Sequence, residues 1–99
     1  MNTAVQTTLG PRFPLGQLSA TPGAMDVLNH ASNELLDMVR RHRVGDWGDL
    51  CEEDRQANEC ALLDGSRLLS AYHAASGAKI WIITEADRAY TTVLLPSEY

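Results

Sequence analysis

Residues 79–95 read Lys79-Ile80-Trp81-Ile82-Ile83-Thr84-Glu85-Ala86-Asp87-Arg88-Ala89-Tyr90-Thr91-Thr92-Val93-Leu94-Leu95. β-Branched and aromatic residues fill both ends of this stretch, and such side chains suit a pleated surface. The polar Glu85-Ala86-Asp87-Arg88 between them has the composition of a turn. The pattern predicts two antiparallel strands, Lys79 to Glu85 and Tyr90 to Leu95, and Ser66 to Ala74 just upstream adds a third of the same character. Ile80 to Ile83 is apolar at every position, as in a central strand covered on both faces. Helices supply one cover; the N-terminal arm or a second copy of the chain supplies the other.

Further upstream, Asp64-Gly65 is a two-residue hairpin signal, which pairs Cys60 to Leu63 with the segment after it. The period before that point is helical. Thr21 can cap exposed N–H groups with its hydroxyl, Pro22 fits the first helical position, and a helix follows to about His42. Its apolar residues Ala24, Val27, Leu28, Ala31, Leu35, Met38 and Val39 recur every three or four positions and form one buried stripe. Arg40-Arg41-His42-Arg43 places cations at the negative end of that helix, and Gly45 ends it. Gly45-Asp46-Trp47-Gly48-Asp49 is a compact turn in which the glycines let the backbone bend around an anchoring Trp47. Asp49 with Glu52 resembles a capping box and predicts a second helix from Leu50 to about Glu59. Leu15 to Ala20 reads as a short edge strand. Residues 1–14 read as a flexible arm, with Phe13 and Leu15 tacked onto the core. The expected architecture is therefore a single α+β domain over residues 15–99, an N-terminal helix pair packed on a three- to four-stranded antiparallel β-meander.

Ninety-nine residues allow one hydrophobic core, so a layout with separate cofactor and substrate domains is excluded. The composition, 44% hydrophobic and 21% charged, is that of a globular chain. No apolar run approaches the roughly 20 residues a membrane span requires, and Met1 to Gly10 lacks the pattern of a secretory signal, which predicts a cytoplasmic protein. The formal charge of −5 disfavours non-specific nucleic-acid binding. Cys51 and Cys60 form no Cys-x-x-Cys pair and read as reduced, buried small hydrophobes. His30, His42 and His73 have no second ligand at a metal-binding interval and read as exposed or helix-end histidines. Asp46, Asp49, Glu52, Glu53 and Asp54 match no calcium loop and read as solvated surface. The glycine pair Gly45 and Gly48 precedes an aspartate, not the lysine of a phosphate loop. No metal, cofactor or catalytic residue is assigned.

Trp47, Asp46, Asp49, Tyr72, Glu85, Asp87 and Arg88 remain as interaction candidates, with Trp47, Tyr72, Glu85 and Arg88 expected to line one pocket. Glu85, Asp87 and Arg88 gather charge on a loop tip, a place where function concentrates. Arg40, Arg41 and Arg43 form a basic patch that suits a phosphate backbone or an acidic partner, to which Arg55 also belongs by charge.

Gly45-Asp46-Trp47-Gly48-Asp49-Leu50, Asn58, Leu68-Leu69-Ser70-Ala71-Tyr72, and the stretch from Lys79 to Arg88 with Thr91-Thr92-Val93-Leu94-Leu95-Pro96 together resemble a family of small uncharacterised proteins carried by bacterial plasmids and integrative elements. The resemblance covers about Leu15 to Tyr99. Members often carry a name taken from the modification subunit of type I restriction enzymes, which implies a DNA methyltransferase. This chain is too short for that activity and lacks both the glycine-rich cofactor loop and the Asn-Pro-Pro-aromatic motif. What the resemblance implies is a mobile-element accessory protein. The leading expectation is a non-enzymatic protein–protein interaction module, such as an inhibitor of a host defence system, with a homodimer anticipated. The alternative is a small nucleic-acid-binding or nucleic-acid-processing protein that uses the arginine patch and the Glu85 to Arg88 loop.

Overall fold

A computed structural model describes residues 10–28 and 33–99. Along the chain run β1 (Gln17–Ala20), α1 (Pro22–Leu28), α2 (Glu34–Arg43), α3 (Glu52–Asp64), β2 (Leu68–His73), β3 (Lys79–Thr84) and β4 (Tyr90–Leu94), followed by a 3-10 turn at Pro96–Glu98. The strands form one sheet in the order β1-β4-β3-β2. β2, β3 and β4 are antiparallel neighbours, and β1 lies parallel to β4 with Ser19 opposite Thr92.

This corrects the expected fold class. The sheet is mixed, and three helices stand between β1 and β2 in place of an N-terminal helix pair on a purely antiparallel meander. The reason is the crossover: β1 joins beside the last strand, so the chain must travel to the opposite edge before β2 begins. Parallel pairing requires that kind of long connection, and the helices supply it.

The second hairpin expected at Asp64-Gly65 is also absent. Residues 52–64 are helix, and Gly65 sits in the left-handed region (φ 84°) where it closes α3, donating its N–H to the Ala61 carbonyl. An Asp-Gly pair serves a helix stop as well as a hairpin, because both need a positive φ at glycine. The capping box is not formed either: Cys51 precedes α3, and Asp49 bonds elsewhere. The one helix anticipated from Pro22 to His42 is described as α1 and α2, with Asn33 outside helical geometry (φ −96°, ψ 22°). Residues 29–32, His30 among them, and residues 1–9 of the expected arm lie outside the described residues. Thr21 does cap α1, its Oγ1 accepting the Ala24 N–H at 3.2 Å.

Alternation along the strands places Tyr72, Ile80, Ile82 and Val93 on the face that packs against Ala24, Leu28, Met38 and Val39 of α1 and α2. Each large side chain so buried contributes roughly 1.5–3 kcal/mol. A second cluster, Phe13, Trp47, Ala61 and Leu68, joins α3 and the segment before β1 to the start of β2. On the opposite face Tyr99 meets Trp81 edge-on at 5.8 Å and Arg67 lies over the Tyr99 ring. The C-terminal turn thus contributes cover there.

The two sheet edges differ. Asn58 of α3 behaves like a strand residue toward β2, donating Nδ2–H to the Leu69 carbonyl at 2.6 Å and accepting the Leu69 N–H at 3.1 Å. One pair further along, Ala71 N–H donates to the Trp47 carbonyl and Asp49 N–H to the Ala71 carbonyl. The outward backbone groups of Leu69 and Ala71, which would attract another strand, are therefore occupied. β1 has no outer neighbour among the described residues, and Leu18 on it is exposed. Among the described residues no helix is long and apolar enough to cross a membrane.

Candidate functional site

The segment that follows α2 is fastened to the edge of β2, and the fastening begins with its glycines. Gly45 and Gly48 both have positive φ (86° and 76°). A Cβ on Gly48 would overlap the Ala71 carbonyl oxygen and lie 2.6 Å from the Tyr72 ring, so glycine is required there by conformation and by space. Between them Trp47, only 2% exposed, points inward. It packs against Phe13 and His42, and its Nε1–H donates to Glu59 at 3.0 Å. Arg12 holds the same carboxylate with two bonds of 2.9 and 3.1 Å. Arg12, and secondarily Trp47, keep the Glu59 carboxyl below its ordinary range.

Tyr72, buried beneath the segment, donates its hydroxyl hydrogen to the Asp46 carbonyl. The Arg41 guanidinium lies 4.6 Å over the Tyr72 ring and grips the Asp46 carboxylate at 2.7 and 3.2 Å. That bond is the main reason the Asp46 carboxyl sits below its usual range and Arg41 above its own. Burial pushes the Tyr72 phenol up to about 12. Asp49 reaches across to His73 at 2.7 Å. Four of the residues singled out from sequence, Asp46, Trp47, Asp49 and Tyr72, are therefore brought together, and Arg41 joins them.

Under this group lies a polar chain that sequence reasoning missed. His42 is fully buried, contrary to its reading as an exposed helix-end residue. Its Nδ1 meets Ser70 Oγ at 2.6 Å and its Nε2 meets Thr84 Oγ1 at 2.9 Å. Thr84 continues to Thr91 at 2.7 Å, and the Thr91 hydroxyl donates to the Leu15 carbonyl at 2.6 Å. Burial lowers His42 to about 4, so its ring is neutral and both nitrogens are engaged. The chain ties α2 to β2, β3, β4 and the lead-in to β1. A signal was present: His42 falls four after Met38 and three after Val39, on the buried stripe itself.

Beside the end of α2, Pro11, Arg40, Arg41, Arg43 and Val44 line a pocket of about 440 Å³. Arg40 pairs with Asp37 at 2.9 Å and Arg41 with Asp46. Arg43 differs, since its Nε is buried without a hydrogen-bond partner. The carbonyls of Arg41, His42 and Arg43 accept the backbone N–H groups of Asp46, Gly45 and Arg12. The negative end of α2 is thereby closed off, and attraction to that end does not account for where Arg43 sits. Arg55 stands apart from this patch, donating to the Leu50 and Gly48 carbonyls.

The Glu85 to Arg88 turn stands away from Tyr72, so the pocket expected of Trp47, Tyr72, Glu85 and Arg88 together is not formed. The turn connects β3 to β4 at the Thr84 end of the sheet, whereas Tyr72 pairs with Ile80, four residues or roughly 13 Å along the strand. Arg88, in the left-handed region (φ 60°), donates to the carbonyls of Ser66 at 2.6 Å, Ala61 at 3.0 Å and Glu85 at 3.2 Å. Its charge sits at the negative end of α3 and over the Phe13 ring. Glu85, Ala86, Asp87 and Tyr90 line a shallow hollow of about 360 Å³ on the outer side of the turn.

Cys51 and Cys60 are exposed free thiols, not the buried hydrophobes expected. Among the described residues no group of three or more His, Cys, Asp or Glu is placed to hold a metal ion. Comparison with protein-family models, with curated proteins and with solved structures returns no match.

Proposed function

We propose that this chain is a cytoplasmic, non-enzymatic protein–protein interaction module whose recognition face is the strip from Arg40 to Asp49, flanked by His73. The observation that carries this reading is the fastening of the strip to β2 through the Trp47 and Asp49 backbone bonds to Ala71. A surface held rigid before binding loses little conformational freedom when it binds, which favours affinity and fixes the presented charges. Arg40, Arg41, Asp46, Asp49 and His73 are exposed, with Arg41 against Asp46 and Asp49 against His73, so the strip presents charges of both signs. Mixed charge of this kind steers and registers a protein surface better than it follows a uniformly anionic polymer. The resemblance to proteins of plasmids and integrative elements supports an accessory role in which the partner is a host protein, such as a defence component.

Site-specific photo-crosslinking in bacterial cells tests the reading. Crosslinkable residues at positions 40 and 49 are expected to yield one adduct of a defined size, and the same group at position 76, on the β2–β3 turn, none. Equal adducts from all three positions, or none from any, would contradict it. Salt-sensitive binding or cleavage of RNA or DNA, lost when Arg40, Arg41 and Arg43 are all changed to Gln, would favour the nucleic-acid alternative instead.

A further inference from the structure

We propose that the pocket beside the end of α2 binds a small organic anion, an apolar body carrying one carboxylate or phosphate, with the Arg43 guanidinium as its counter-ion. The pocket shares Arg40, Arg41, Arg43 and Val44 with the proposed recognition strip, but the inference rests on the Arg43 side chain and not on the fastening of the strip to β2. The volume, about 440 Å³, falls in the usual range for small-ligand sites. Pro11, Val44 and the aliphatic stems of the arginines supply apolar walls. Of the three arginines, Arg40 and Arg41 are already neutralised by Asp37 and Asp46. The Arg43 side chain makes no hydrogen bond or ion pair among the described residues. Its guanidinium therefore carries a charge with no counter-charge, and the planar fork of its terminal N–H groups matches a carboxylate or phosphate edge.

Repulsion from α2 is small because the carbonyls of Arg41, His42 and Arg43 are each satisfied by a backbone N–H. One uncompensated cation in an apolar-walled pocket also argues for a small ligand over a nucleic acid, whose binding rests on several cations neutralising successive phosphates.

Titration of the isotopically labelled full chain by NMR decides the matter. Octanoate and phenyl phosphate are expected to shift the Arg43 Nε–H signal and the amides of Arg12 and of residues 40–44 saturably, and comparison of the two distinguishes a carboxylate ligand from a phosphate one. Neutral octanamide, and inorganic phosphate without an apolar body, are each expected to bind at least about ten-fold more weakly than their counterparts. R43Q is expected to weaken octanoate by about ten-fold or more. V44F, which fills the pocket and leaves the charge, is expected to abolish binding and guards against a folding defect in R43Q. Octanamide equal to octanoate, folded R43Q or V44F equal to the parent chain, or no saturable shift up to about 10 mM of any probe would overturn the proposal.

Discussion

Acid should unfold this protein through His42 before it reaches the carboxylates. The His42 side chain has an ordinary value of 6.5 and a folded value of about 4, lowered by burial. The unfolded chain therefore binds a proton that the folded chain refuses between those two values. Stability from this group is complete above pH 6.5 and falls as pH drops toward 4, at up to about 1.36 kcal/mol per pH unit. Across the window the loss is about 3 kcal/mol, a large share of the roughly 5–15 kcal/mol that holds a domain together. Asp46 and Glu59, whose carboxyls their arginine partners hold below the ordinary range, lose their contribution only at lower pH. The interval from pH 6.5 to 4.5 thus separates the His42 loss from those two carboxylates. Urea unfolding at half-unit pH steps, followed by far-ultraviolet circular dichroism and tryptophan fluorescence, reads the slope directly. H42Q, which cannot take up a proton, should start less stable and show a nearly flat profile across this interval. A parent profile that is flat from pH 6.5 to 4.5, or a His42 ring that titrates near 6.5 by NMR in the folded chain, would refute the reasoning.

Three further substitutions probe the frame around the site. G48A should cost about 2–4 kcal/mol in chemical denaturation, because the new Cβ meets the Ala71 carbonyl at a φ that L-residues avoid. N58A leaves the Leu69 N–H and carbonyl unpaired, with an expected loss of about 2–4 kcal/mol and a greater tendency to associate through the bared β2 edge, read by light scattering. R88A should lose about 2 kcal/mol through its bonds to Ala61 and Ser66, and R88G about 1 kcal/mol, since glycine recovers the cost of the positive φ; equal losses would contradict the strain argument.

Local pattern made much of this fold legible. β2, β3 and β4 each lie inside a stretch whose side chains alternate or are rich in branched residues, and Thr21-Pro22 marks the start of α1 as capping chemistry requires. What escaped is what depends on distant partners. Gln17-Leu18-Ser19-Ala20 carries no pattern that distinguishes a parallel partner from an antiparallel one, and only the path of three helices places it beside β4. Asp64-Gly65 fits two turns equally well, and Arg88, donating to Ala61 from across the sheet, helps hold the helical one. At the site, Gly45, Trp47 and Gly48 announced a tight turn, but not its bonds to Ala71. The pocket was hidden because Pro11 and Arg43 are brought together by the Arg12 N–H bond to the Arg43 carbonyl. His42 was the avoidable miss: the helical period placed it on the buried stripe, and Ser70, Thr84 and Thr91 occupy inward strand positions opposite it.

Hydrogen exchange at the amides of Asp49 and Ala71, measured by NMR on the free chain, tests most directly whether the strip after α2 is built into the sheet before any partner arrives. Both N–H groups donate across the junction, one to the Ala71 carbonyl and the other to the Trp47 carbonyl. Protection of both approaching that of Ile82 in the central strand is the predicted result. Exchange at the rate of an open loop, with Ile82 still protected, would contradict the account.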